Sequence, residues 1–177
     1  MSEQRAGDRA IDGPSAAVTG SGRRPTIECG FAGRGLSFVV ELASDEAPAS
    51  VAALLERLPI DNDTYHTKWG GRELFVVLPP FAATAPERPT AEVRVGDVVV
   101  VHRDATDRTA PWRLRAAGLG AYVELGFFYG DGRLFGPTGA VQGTRVGRII
   151  GDLTALSGAV AEMRQSGFER LTARRRE

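Results

Sequence analysis

The sequence is short of cysteine, histidine and net charge, and each shortage disfavours a class of protein. Cys29 is the only cysteine, so no disulfide forms within the chain, and a reducing, cytoplasmic location is expected. The two histidines, His66 and His102, show no metal-ligand spacing such as H-x-H. The 22 acidic and 22 basic side chains cancel, which disfavours a nucleic-acid-binding protein.

Long apolar runs are also missing. No run approaches the roughly 20 residues that a membrane span requires, so no membrane association is expected. The first ten residues, MSEQRAGDRA, contain no apolar core of a secretory signal. Lys68 is the single lysine among the 22 basic residues, and this arginine excess is typical of a GC-rich genome rather than of arginine-dependent recognition.

The length of 177 residues suits one domain with added ends. Residues 1–24 are small, polar and rich in Gly and Ser, which predicts a disordered tail, because they bury too little to offset the entropy of ordering. Residues 25–172 are predicted to form the folded domain. Residues 173–177 contain three consecutive arginines and are predicted to be a frayed end.

Short β-prone runs dominate the folded part. Residues 26–42 and 63–78 read as two hairpins, the second turning at Gly70-Gly71. A helix is predicted over 49–58, capped by Ser44 or Asp45, and a second over 152–165, capped by Asp152. About eight strands and two helices without βαβ alternation predict a mainly β barrel or sandwich with two covering helices.

Several stretches, taken in order, resemble a known family. The first stretches resemble the opening of a cyclophilin-like domain. The later ones resemble the "H-x-K-W-S-G-x-E-x-F" signature and the glycine-containing elements that follow it in the bacterial DUF3830 family. The matching stretches are Phe38–Leu42, Asp45–Pro48, Leu55–Pro59, Tyr65–Pro79, Gly96–Val98, Phe128–Gly130, Arg133–Leu134 and Gly136–Gly139. The resemblance covers about residues 26–172. It implies a cyclophilin-like closed β-barrel of about eight strands with helices at its openings.

The resemblance implies much less about activity, because fold alone does not determine function. Two departures from the family are visible: the segment 103–120 is longer than the usual connection, and the N-terminal tail is added. Cyclophilins that isomerise prolyl bonds carry an "F-H-R" step followed by "Q-G-G". Here the corresponding strand reads Tyr65-His66-Thr67, with neither step present, so prolyl isomerisation is disfavoured.

The second hairpin holds the main candidates for chemistry. His66 is a candidate acid or base near neutral pH, Glu73 its charge partner, and Trp69 an apolar wall for a ligand. Lys68 lies within the same signature and is a candidate ligand contact. The alternative is that His66 is a hydrogen-bonded strand residue and Trp69 a packing residue.

Three further residues have two interpretations each. His102 ends an apolar strand and either faces a pocket or lies at an exposed terminus. Tyr129 precedes a Gly-Asp-Gly turn and is either a ligand contact or a core residue. Strand alternation places Glu124 on the face opposite Val123 and Leu125, where solvent exposure is the simpler interpretation. A metal site built from the histidines and Glu124 is not predicted, since close ligand spacing is missing.

The sequence thus predicts a small-molecule-binding or catalytic barrel. Its pocket is expected to involve His66, Trp69 and Glu73, with His102 and Tyr129 as further candidates. The simplest chemistry is an isomerase-type or lyase-type proton transfer that needs no cofactor. A non-catalytic interaction or accessory module is the alternative, and homo-oligomer formation is left open.

Overall fold

The computed structural model describes residues 23–81, 86–104, 121–136, 138–166 and 169–176. Most of the predicted tail, residues 1–22, lies outside them, as do residues 105–120 of the long connection and Gly167, which the sequence predicts as the end of the second helix.

Ten strands and two helices follow one another within the described residues. The strands are β1 (Thr26–Phe31), β2 (Leu36–Leu42), β3 (Ile60–His66), β4 (Gly71–Leu78), β5 (Asp97–Asp104), β6 (Ala121–Gly132), β7 (Phe135–Gly136), β8 (Gly139–Ala140), β9 (Thr144–Ile150) and β10 (Arg170–Arg175). The helices are α1 (Pro48–Glu56) and α2 (Thr154–Ser166).

Eight of these strands close into an antiparallel barrel in the order β1-β10-β3-β4-β6-β5-β9-β2, and β7 pairs with β8 in a separate two-stranded hairpin. The predicted closed barrel of about eight strands with two helices is therefore confirmed. Closure removes the unpaired edges that an open sheet would present.

The two helices lie at opposite ends of the barrel. Helix α1 connects the end of β2 to the start of β3, and α2 connects the end of β9 to the start of β10. Because all barrel neighbours are antiparallel, these connections fall on opposite rims. The end of β3 and the start of β4 therefore lie at the α2 end, and the ends of β4 and β5 at the α1 end.

Alternation along the strands sorts side chains between the barrel interior and its outer face. On β4, Leu74, Val76 and Leu78 are buried in the main core, so Glu73 points the other way. On β6 the interior residues are Val123, Leu125, Phe127 and Tyr129. This is the alternation that the sequence predicts for β6.

Part of the outer face is covered as well. Val99, Val101, Phe128 and Leu134 form a second apolar cluster, against which Val93 and Val141 pack. The covering segments are held by bridges between Thr90 and Gly143 and between Glu92 and Arg133. The outer surface of β5 and β6 is thus a protected environment in which a charged group loses hydration.

Two local predictions differ from the structure. Neither Ser44 nor Asp45 caps α1; instead the Glu87 carboxylate accepts hydrogen bonds from the backbone N–H groups of Ala49 (3.2 Å) and Ser50 (2.7 Å). At the C-terminus, β10 continues to Arg175 because it pairs with β1, beyond the point where a frayed end was expected. The Asp152 cap is present, with Oδ1 accepting from the Thr154 N–H at 2.8 Å.

Within the described residues, neither helix has the length and apolarity that crossing a bilayer requires.

Candidate functional site

Glu73 lies on the outer face of the barrel with its carboxyl group enclosed. Only 8% of the residue is exposed. One carboxyl oxygen lies against Gly126 and the other against Gly70, where a Cβ would stand 2.5 Å from Oε2; a Cβ at Gly126 would collide with Oε1. Two glycine backbones therefore make the space that this carboxyl occupies. We call Glu73, Gly70 and Gly126 the carboxyl clamp.

The clamp lies beside an irregularity in the sheet. The pairing of β4 with β6 shifts between Gly71 and Glu73, where Glu73 stands opposite Phe128. Such irregularities re-aim side chains near functional sites.

Burial raises the pKa of Glu73 to about 8, and the neighbouring charge of Glu124 raises it further, while Arg103 acts in the opposite direction. The carboxyl is therefore mostly protonated at neutral pH. Among the described residues, no hydrogen-bond partner reaches it. Its two oxygens are not among the fully buried unpaired atoms of the described residues, which are Ser50 Oγ and His102 Nε2, so the carboxyl keeps some contact with solvent.

Arg103 and Glu124 form an ion pair next to the clamp. Arg103 Nε donates to Glu124 Oε2 at 2.9 Å, and both side chains are largely buried. Their strands are adjacent, and Gly136 of β7 lies over the guanidinium, with its Cβ position 3.8 Å from Nη1. The three groups together carry a protonated acid, a carboxylate and a guanidinium within one protected region.

The turn between β3 and β4 forms the border of this region. The Thr67 hydroxyl accepts hydrogen bonds from the N–H groups of Trp69 (3.4 Å) and Gly70 (3.1 Å). Lys68 is exposed, and Trp69 is 57% exposed, so its indole is not a packing residue. The N–H of Arg133 donates to the Gly70 carbonyl at 2.9 Å. This bond connects the segment that precedes β7 to the turn.

His66 pairs with Tyr129 at the α2 end of the barrel interior. Its Nδ1 is 2.7 Å from the Thr67 carbonyl oxygen and its Nε2 is 2.6 Å from the Tyr129 hydroxyl. Because a carbonyl only accepts, Nδ1 carries the proton, and in the neutral ring Nε2 accepts from Tyr129. Both ring nitrogens are thus engaged within the protein.

His102 lies at the other end of the barrel. It stands opposite Val123 on β6, and its ring meets that of Phe81 edge to face at 6.1 Å between centroids. Its Nε2 is buried without a hydrogen-bond partner among the described residues. Burial lowers the pKa of His102, which favours the neutral ring.

The predicted site residues therefore do not gather around one pocket. His66 and Tyr129 face the interior at the α2 end, His102 lies at the α1 end, and Glu73 faces outward, because it is one residue away from Leu74, the partner of His66 in the sheet. Lys68 and Trp69 lie in the turn beside Glu73. The expected pairing of the His66 and Glu73 side chains is the part of the prediction that this geometry corrects.

Sequence reasoning missed the role of Arg103 and treated Glu124 as a solvent-facing residue. The alternation on β6 placed Glu124 on the correct face, but the second apolar cluster that covers this face was not visible in any local pattern. The available signal was Gly126, a glycine inside an otherwise apolar strand, which often marks a close approach.

Within the described part of the chain, no group of three or more His, Cys, Asp and Glu side chains is arranged to hold a metal ion. Burial also raises the pKa of the Cys29 thiol far above its usual range, which makes it a poor nucleophile.

Solved structures with a similar fold include two of low sequence identity. The McbB protein in complex with tryptophan has a TM-score of 0.58 and 18% identity over 85% of this chain, which spans 44% of that protein. The hypothetical protein AF2241 from Archaeoglobus fulgidus, a solution structure, has a TM-score of 0.54 and 20% identity, covering 88% of this chain and 97% of that one. At these identities the likeness shows the fold alone.

No curated protein sequence matches the chain. The family described as "Protein of unknown function (DUF3830)" matches residues 30–173, which include the whole turn and carboxyl clamp. The match extends over most of the 177 residues, and the chain belongs to the DUF3830 family.

Proposed function

We propose that the protein binds a small molecule beside the β3–β4 turn, at the border of the covered outer face of β4 and β6, and that Glu73 exchanges a proton with it. The observation that carries this proposal is the Glu73 carboxyl, which is buried, has its pKa raised to about 8 and has no partner among the described residues. Strongly shifted acids next to specific charge partners are typical of functional sites.

A group with a pKa near the working pH is suited to both donate and accept a proton. The neutral Glu73 carboxyl donates to an acceptor oxygen or nitrogen of the substrate, and the resulting carboxylate takes a proton from another substrate atom. The carboxyl returns to its starting state, so the exchange is balanced as an isomerisation or as the proton steps of a lyase reaction.

In this scheme, the charges of Arg103 and Glu124 adjust the pKa of Glu73. The Glu124 charge disfavours ionisation of Glu73, and the Arg103 charge limits this effect. Lys68 and Trp69 are the proposed ligand contacts at the border. His66 and Tyr129 support the β3 end from the other face of the sheet and are proposed as positioning residues. His102 takes no part, because alternation along β5 places it on the interior face with Val98 and Val100.

The arrangement favours a ligand site over an accessory module. A docking module is expected to present a continuous apolar patch. Among the described residues, the exposed large apolar side chains are Trp69, Val95 and Ile150, each single on its segment.

The titration of Glu73 tests this proposal in the protein without any ligand. Its carboxyl ¹³C resonance is expected to move with a midpoint near pH 8. The unfolded chain releases this proton near pH 4.5 and the folded chain near pH 8. The stability that Glu73 contributes is therefore fully present below about pH 4.5 and falls by about 1.4 kcal/mol per pH unit up to about pH 8.

Glu73→Gln removes this dependence, so the free energy of unfolding of the variant relative to wild type is expected to rise across that pH interval in urea denaturation. Glu92→Gln, at an exposed glutamate, is the matched control for the loss of one carboxyl group. In a thermal-shift screen of metabolites, a compound that stabilises the wild type is expected to lose its effect on Glu73→Leu, which removes the donor that Glu73→Gln keeps. A Glu73 midpoint near 4.5, or ligands that stabilise Glu73→Leu as well as wild type, would contradict the proposal.

A further inference from the structure

We infer that the ligand of the Glu73 site is a small carboxylate that carries a flat apolar portion. This inference rests on the proposed function and adds the chemical class of its ligand. Three features carry it: the protonation of the clamp, the cations around the turn, and the exposed indole of Trp69.

The first feature concerns hydrogen bonding. A neutral Glu73 carboxyl has an O–H to donate, and it makes no hydrogen bond with a described residue in this structure. A ligand that satisfies it must bring an acceptor oxygen to the clamp. Carboxylate and carbonyl oxygens both meet this requirement, and the bond to a carboxylate is the stronger because its acceptor is charged.

The second feature concerns charge. Several described arginines away from the turn have defined acidic partners; these are Arg24, Arg34, Arg145, Arg170 and Arg174. Others away from the turn, such as Arg88 and Arg94, make no salt bridge with a described residue. The same holds for the exposed cations around the turn, which are Lys68, Arg72 and Arg133. Arg133 instead stacks on the Phe135 ring, with its guanidinium carbon 4.3 Å from the ring centre.

Lys68 and Arg133 both belong to the β3–β4 turn and the segment bonded to it. Lys68 lies in the turn itself, and the Arg133 backbone is bonded to Gly70, the residue that encloses one oxygen of Glu73. In a chain with no net charge, unpaired cations at the border of a protonated acid favour an anion over a neutral or cationic molecule.

The third feature concerns shape. Trp69 is the most exposed of the large apolar side chains in the described residues, and it is held in the turn by the Thr67 hydroxyl. An indole face on a fixed turn is a suitable surface for a flat apolar group, and Arg133 on Phe135 adds a second planar surface. In one small molecule, the carboxylate can then contact the cations while the flat group packs on the indole.

A charge series on one ring tests this inference: phenylacetate, its neutral amide phenylacetamide and the cation phenethylamine, with acetate as the ringless anion. Binding is measured by titration of the backbone amide resonances of uniformly ¹⁵N-labelled full-length protein. Phenylacetate is expected to perturb residues 67–73 and 126 and to bind at least fivefold more tightly than the other three compounds.

Substitution assigns the contacts. Lys68→Gln and Arg133→Gln are each expected to weaken phenylacetate binding about three- to tenfold, and Trp69→Ala by a similar factor. Arg176→Gln is the matched control, since Arg176 is also exposed but lies beyond β10 at the α1 end, and it is expected to leave binding unchanged.

The outcomes separate this inference from the proposed function. Equal binding of phenylacetamide would overturn the anion class, and equal binding of acetate would overturn the flat apolar portion, while in both cases the perturbed residues would still locate a site at Glu73. If no compound perturbs residues 67–73 or 126, the inference fails, and a Glu73 midpoint near pH 8 would then show that the acid itself is as proposed. Equal losses in Arg176→Gln would reduce the effect to general charge and would also overturn the inference.

Discussion

Polar side chains in the interior of this barrel and on its outer face differ in whether the protein satisfies their hydrogen bonds. Inside, at the α2 end, His66 has both ring nitrogens engaged, one by the Thr67 carbonyl and one by the Tyr129 hydroxyl. Outside, on the neighbouring strand β4, Glu73 is enclosed by Gly70 and Gly126 without a partner among the described residues. The histidine is satisfied by the fold, whereas the carboxyl is left available.

This difference shows where reactivity is to be sought. A histidine in a candidate signature attracts attention first, because its ordinary pKa lies near neutrality. Here the group whose pKa departs furthest towards neutrality is the glutamate, since its pKa is raised to about 8 by burial and by the charge of Glu124. In the proposed function, the second layer over β5 and β6 therefore contributes more to the site than the packed interior does.

The largest expected effect tests the structural role of the interior. Leu74→Ala removes a fully buried side chain next to Glu73 in sequence but on the opposite face, and is expected to lower the free energy of unfolding by about 2–5 kcal/mol. Urea denaturation at pH 6 measures the loss. The control Val95→Ala, at an exposed position, is expected to stay within about 0.5 kcal/mol of wild type. Equal losses in the two variants would remove the distinction between core and surface.

An intermediate effect tests the carboxyl clamp. Gly126→Ala places a methyl group where Glu73 Oε1 now lies, which is expected to cost about 1–3 kcal/mol and to force the carboxyl toward solvent. Its pKa, measured by carboxyl NMR, should then fall from about 8 toward its ordinary range. Gly33→Ala is the control, because no atom lies within 4 Å of the added Cβ. An unchanged Glu73 midpoint in Gly126→Ala would mean that the glycine does not position this group.

The smallest expected effect tests whether the interior pair and the outer-face carboxyl are independent of each other. Tyr129→Phe removes the hydroxyl that bonds His66 Nε2 and is expected to cost about 1 kcal/mol, the net value of one hydrogen bond. Thermal or urea denaturation measures this cost. The Glu73 midpoint is expected to remain in place, because Tyr129 lies on the other side of the sheet. A shift of that midpoint as large as in Gly126→Ala would join the two regions into one functional unit.

Much of the fold follows from local patterns. The hairpins, the Asp152 cap and the alternation on β6 rest on periodicity and turn residues that act over a few positions. The α1 cap could not be predicted in this way, since its acceptor is Glu87, more than 35 residues further along the chain. The final strand extends further than expected for the same reason: β10 gains its partners from β1 at the opposite end of the domain.

The sequence by itself determined that this is a mainly β domain of the DUF3830 type with a signature turn that contains Lys68 and Trp69 and is followed by Glu73. Only the tertiary structure decided that Glu73 faces away from His66 and that Arg103 and Glu124 are its neighbours. The physical reason is that protonation depends on burial and on nearby charges from other strands. Both are set by barrel closure and by the segments that cover the outer face, and neither is encoded within the turn itself.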